Sequence, residues 1–222
     1  MSSEPVPGAG GTMDLGRRGV VWLDGRAIPV ERTGAERAVA RITEPVRSRP
    51  ARSRVVAASF DSAPEGRLFD PEQPEGPAQV PRRTGGAAEG VASLLVGGRR
   101  KKQCLAAIDR WYRREARRRI ESEVEVEANR LGLAPGKVSI RDQKTRWGSC
   151  STSGTLSFNW RLVIGPGEAL RYVVIHELVH IEHHNHSRAF WAALTRAMPE
   201  WKRPAAWLKA NERALTAYRP RL

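Results

Sequence analysis

His176 and His180 stand four residues apart with Glu177 between them, and the apolar run Tyr172-Val173-Val174-Ile175 leads into the pair. That run predicts a helix, on which residues i and i+4 share one face and can turn both imidazoles toward a single ion. Glu177 would then flank the ion without binding it. A carboxylate so placed can take a proton from a zinc-bound water, whose pKa the metal lowers to about 7, and pass it to a leaving group. The pattern is the sequence form of a catalytic zinc site.

Such a site needs a third protein ligand and keeps a fourth position open. His183, His184 and His186 compete for the place. On a continuing helix His184 would share the face of His176 but lie about 12 Å along it, at 1.5 Å per residue, too far to close around one ion. The chain must therefore turn back. Asn185 tolerates the left-handed conformation that ends helices, and His186 follows it directly, so His186 is the expected ligand. The interval from His180 matches the last spacing of the longer H-E-x-x-H-x-x-G-x-x-H motif, but His183 replaces its glycine and the turn must be built differently. His183 and His184 are read as solvent-facing or supporting residues, with either as the substitute should His186 not serve.

The elements that hold these residues begin with an expected helix from about Lys102 to Leu131, whose Leu105, Ile108, Trp111, Tyr112 and Ile120 give it a packing face and leave Arg110 to Arg119 solvated. A short strand is expected at 137–141. Strict alternation predicts a longer one at 155–164, with Leu156, Phe158, Trp160, Leu162 and Ile164 inward and Ser157, Asn159, Arg161 and Val163 outward. Gly165-Pro166-Gly167 separates it from the zinc helix. Ser187 can cap a following helix to Met198, and Pro204 can open a last one. Upstream, Val20 to Val30 has the form of a hairpin turning at Asp24-Gly25, while 43–98 is rich in Pro, Gly, Ala, Arg, Ser and Glu and reads as flexible. The expected division is a variable N-terminal region, 1–100, and a zinc domain, 101–222.

Composition narrows the class. The 222 residues are 40% apolar, enough for one sizeable core, and the net charge is +14. That charge admits nucleic acid or another polyanion as partner, but it is mostly Arg spread along the chain, which a compositional bias explains equally well. No apolar stretch suits a signal peptide or a membrane span. Cys104 and Cys150 form neither a disulfide framework nor a Cys-x-x-Cys pattern, so a cytoplasmic location is expected.

Four ordered segments carry a resemblance: Arg146-Trp147-Gly148-Ser149-Cys150-Ser151, Leu156-Ser157-Phe158-Asn159-Trp160-Arg161-Leu162, Tyr172 through His180, and Asn185-His186-Ser187-Arg188-Ala189-Phe190-Trp191. Over roughly 101–217 the chain resembles the YgjP-like metallopeptidase family, relatives of the SprT-like zincins. The resemblance implies an α+β fold. It would be a minimal zincin domain with a small sheet, an active-site helix and C-terminal supporting helices; composition makes the region before it largely irregular, a departure from the strand-rich N-terminal section usual in the family. It also implies one zinc ion on His176, His180 and His186, with Glu177 as general base. The strand near Leu156 to Leu162 would border the cleft and offer its edge to an extended peptide, making Asn159 and Arg161 candidates for substrate contact. Arg146, Trp147 and Cys150 are assigned to structure.

The expected activity is hydrolysis of a peptide or protein by zinc-activated water. Tyr172, Asn159 and Arg161 are candidate donors to the oxyanion. The alternatives are nucleotide pyrophosphohydrolysis at the same zinc, and a nucleic-acid-associated binding protein whose zinc is structural.

Overall fold

Apolar spacing of 3.6 residues becomes helix in the computed structural model, which describes residues 13, 15–43 and 92–222. The helices are α1 (Lys101–Leu131), α2 (Gly167–Val179), α3 (Arg188–Ala197) and α4 (Lys202–Ala217). Among the described residues seven short strands complete an α+β fold: β1 (Val20–Leu23), β2 (Arg26–Arg32), β3 (Ala40–Ile42), β4 (Leu94–Val96), β5 (Val138–Arg141), β6 (Gly148–Cys150) and β7 (Leu156–Asn159). None of the described helices is long and apolar enough to cross a membrane. The stretch read as flexible, 43–98, lies over 44–91 outside the described residues, and its end corrects that reading: Leu94–Val96 is β4, a strand between β2 and β3 whose Leu94 and Val96 are fully buried.

The first four strands form a sheet of order β1-β2-β4-β3, with β2 and β4 parallel. Asp24 at φ 53° and Gly25 at φ 72° supply the two positive φ angles that a tight β1–β2 turn requires. Their N–H groups donate to the carbonyls of Val163 and Ile164, which docks the turn just ahead of α2.

Helix α1 runs beneath this sheet and carries much of the core. Tyr112 is fully buried, accepts a hydrogen bond from Trp22 N–H, donates to the Trp22 carbonyl and meets Tyr218 Oη at 3.0 Å. Strand β1 and the C-terminal segment are thereby tied to one hydroxyl. The arginines expected to be merely solvated are engaged instead. Arg110 and Arg114 donate to the carbonyls of Ala38 and Ala40, while Arg113, Arg117, Arg118 and Arg119 pair with acidic side chains. The exposed pairs add little stability.

The second sheet has the order β5-β7-β6, with β7 central. Here the structure corrects the sequence expectation: the strand stops at Asn159, and Trp160–Ile164 is a 3-10 helix. Asn159 causes the change of course. Its Oδ1 accepts from Arg161 N–H at 3.1 Å and its Nδ2 donates to the Gln143 carbonyl at 2.8 Å. Every side chain from Trp160 to Ile164 is buried, so the apparent alternation does not separate a wet face from a dry one.

Helix α2 is set against α1 by Glu127, which is 1% exposed and receives Arg171 at 2.7 Å and Arg130 at 2.5 Å. Two arginines on one carboxylate offset the cost of burying it.

Candidate metal centre

Helix α2 ends at Val179, one residue before the second histidine. No left-handed residue ends it: Asn185 lacks a positive φ, contrary to the expectation from its type. The chain turns through tight bonds instead, with Ile181 N–H donating to Leu178 O at 3.0 Å and His183 N–H to Val179 O at 3.0 Å. Ser187 then caps α3, its Oγ accepting from Phe190 N–H. The turn returns His186 to the face of α2 that carries the other two histidines.

The structure brings His176, His180 and His186 together, with one ring nitrogen from each within 4.8 Å of the others. His176 Nε2 and His186 Nε2 are 3.1 Å apart. Two ligands about 2.0–2.1 Å from a tetrahedral zinc lie at nearly that separation, so the donor set fits one such ion. His180 Nδ1 is held by the His183 carbonyl at 2.8 Å, leaving its Nε2 for the centre. Burial, then the neighbouring His180 and His186, depress the His176 pKa to about 3. Burial also lowers the value of His180. These imidazoles are therefore neutral at physiological pH, the form that binds metal.

Phe190 forms the floor. It is fully buried, and its ring centroid lies 4.9, 4.5 and 4.7 Å from those of His176, His180 and His186. The sequence signal for it was the capped i+3 position after Ser187. His183 contributes a backbone carbonyl, and His184 lines the cavity outside the three-histidine group.

Glu177 faces a cavity of about 440 Å³ whose opposite wall is Arg146, Gly148, Ser149, Cys150 and Thr152. Its side chain reaches Gly148 so closely that a Cβ there would lie 2.6 Å from Oε1. Glycine is thus required by the close approach of the carboxylate. Burial raises the Glu177 pKa to about 7, with Arg146 opposing the rise. Cys150 also lines the cavity; burial, then the Glu177 charge, push its thiol up, which keeps it protonated.

Asn159 and Arg161 do not line this cavity, and the structure corrects their assignment to substrate contact. They are 1% and 2% exposed, and Arg161 is committed to Asp142 and to the face of Trp160. Nor does β7 offer an edge, since β5 and β6 pair with its two sides. The sheet's edges are β5 and β6, and of the two it is β6 that lines the cavity. Trp147 O and Ser151 N–H bond toward β7, so the antiparallel alternation directs the N–H and C=O groups of Gly148 and Cys150 outward. Tyr172 is half-buried against His176 and Trp201 rather than in the cavity.

Residues 85–211, more than half of the chain, match the YgjP-like, metallopeptidase domain family. Two solved structures are similar in part. The metallopeptidase zymogen abylysin of Pyrococcus abyssi is 27% identical, with 46% of this chain and 99% of that one covered at a TM-score of 0.37. The metallopeptidase zymogen jannalysin of Methanocaldococcus jannaschii is 24% identical, with 40% and 93% covered at a TM-score of 0.36. No curated protein matches the chain.

Proposed function

Because this chain belongs to the YgjP-like, metallopeptidase domain family, we propose that it is a zinc-dependent peptidase in which His176, His180 and His186 hold the metal and Glu177 is the general base. The observation that carries the reading is the placement of Glu177. The residue is 6% exposed, adjoins His176 in sequence, and faces the cavity against Gly148 of edge strand β6. When bound, zinc would supply a Lewis acid and lower the pKa of water at its open position to about 7.

The chain's own groups do the rest. An extended peptide pairs with the outward N–H and C=O groups of Gly148 and Cys150, which brings its backbone in front of Glu177. Glu177 removes a proton from the attacking water and returns it to the departing amine, a contribution of about 10²–10⁴ in rate. Phe190 keeps the three imidazoles on one side and water off their backs. The unpaired Cys104 and Cys150 suit a reducing compartment such as the cytoplasm.

The test is hydrolysis of a mixed peptide library by the zinc-loaded chain. Cleavage should disappear on chelation, return with zinc, and fall by about 10²–10⁴ in Glu177→Gln at equal metal content. Cleavage by Glu177→Gln at the wild-type rate would refute the assignment of the base.

A further inference from the structure

The cavity wall opposite the histidines is strand β6, with Gly148, Ser149 and Cys150, flanked by Arg146 before it and Thr152 in the turn after it. Gly148 is the gap that Glu177 fills, so the reacting bond of a substrate must lie near Gly148. Arg146 precedes Gly148 by two residues, across the bend at Trp147. It is exposed and makes no hydrogen bond or ion pair with any described residue. The other full charge on the cavity lining is that of Glu177 itself. Arg141 and Lys144, in the same exposed segment, are also without a partner among the described residues, whereas Asp142 between them is taken by Arg161 and Arg113. Arg146 is thus the one Lys or Arg among the residues that line the cavity, and its charge acts on Glu177 across it.

We propose that Arg146 is a specificity residue that binds a substrate carboxylate within two residues of the scissile bond. The inference rests on the peptidase reading and adds to it a substrate class: peptides with an acidic side chain or a free C-terminus beside the cleavage site. Two sources supply the same chemistry, an Asp or Glu side chain and the terminal carboxylate. A guanidinium forks onto either with two parallel hydrogen bonds. Position separates this role from that of an oxyanion donor. A residue two steps from Gly148 meets a neighbouring group of the substrate, which is charged in ground state and transition state alike, and so acts on binding rather than on turnover.

The experiment measures binding of labelled peptides to the zinc-loaded Glu177→Gln chain, and in parallel their hydrolysis by chains with Glu177 intact. One peptide is made with Asp, Asn or Lys on either side of a fixed central residue, each as the free acid and as the C-terminal amide. The Asp peptides should bind about twofold to fivefold more tightly than Asn, as an exposed ion pair of up to about 1 kcal/mol gives. Comparison of acid with amide identifies a terminal carboxylate as the source. Arg146→Glu should reverse the order in favour of Lys, Arg146→Lys should keep part of it, and the hydrolysis effect should appear in KM. Equal binding of Asp, Asn and Lys peptides in both terminal forms overturns the proposal, as does a uniform fall in kcat in Arg146→Glu with binding unchanged. The peptidase reading fails by a different result, the absence of cleavage by the zinc-loaded wild type, and the binding arm still decides the role of Arg146.

Discussion

Adding one methyl group at Gly148 should disable the centre without unfolding it. A Cβ at that position would lie 2.6 Å from Oε1 of Glu177, 2.7 Å from Cγ and 2.9 Å from Cδ. Ordinary carbon contacts begin at about 3.5 Å, so the carboxylate must retreat by roughly 1 Å. The strand is not strained by the change, because Gly148 does not have a positive φ. The end of the Glu177 side chain can move, and the cost in stability should stay near the low end of overpacking, about 1 kcal/mol. Catalysis is less tolerant: a 1 Å misplacement costs about 10²-fold. Gly148→Ala should therefore lower kcat/KM on a fluorogenic peptide by about 10², chiefly through kcat, with zinc content and Tm close to wild type. The same substitution in a Glu177→Gln background should add almost nothing, since both changes act on one group. A Gly148→Ala enzyme within twofold of wild type would refute the claim that Glu177 must occupy that gap.

Two further outcomes follow from the floor of the site and from the buried arginine. Phe190→Leu removes the ring that contacts all three imidazoles, and should weaken zinc affinity by about 10–100-fold in chelator competition while the chain remains folded; unchanged affinity would mean that the histidines hold themselves. Desolvation opposes ionisation of Asp142, but the hydrogen bond and charge of Arg161, with Arg113 and Trp160, hold its pKa below the ordinary value. A depressed carboxylate stabilises the fold above its unfolded pKa of about 3.9, and the gain is lost as pH falls through the folded value. Asp142→Asn should accordingly cost about 1–3 kcal/mol at neutral pH, less than a fully buried pair because Asp142 is 45% exposed. The gap to wild type in denaturant titrations should narrow below about pH 4; a gap that does not change with pH would contradict this account.

The helical part of the fold was legible because its signals are local. The 3.6-residue spacing of α1, the Ser187 cap of α3 and the Asp24-Gly25 turn each declare themselves within a few residues. So did the histidines, since helix geometry makes His176 and His180 neighbours and disqualifies His184 on a straight course. What the sequence concealed depends on contacts between distant segments. Alternation from Leu156 to Ile164 looks like a half-exposed strand, but burial on both sides makes its polar members, Asn159 and Arg161, internal supports. The order β5-β7-β6 puts β7 in the centre and β6 at an edge, which no spacing within either strand encodes. Arg146 was assigned to structure for the same reason, because only the fold reveals that it lines the cavity and that Gly148 beside it meets Glu177.

Metal analysis by mass spectrometry on wild type, Glu177→Gln and His186→Ala, purified and exposed to zinc in parallel, tests the account most directly. It predicts one zinc per chain in wild type and in Glu177→Gln, and a loss of most of the zinc in His186→Ala. Full zinc in His186→Ala, or loss of zinc in Glu177→Gln, would contradict the assignment of three histidine ligands beside a free carboxylate.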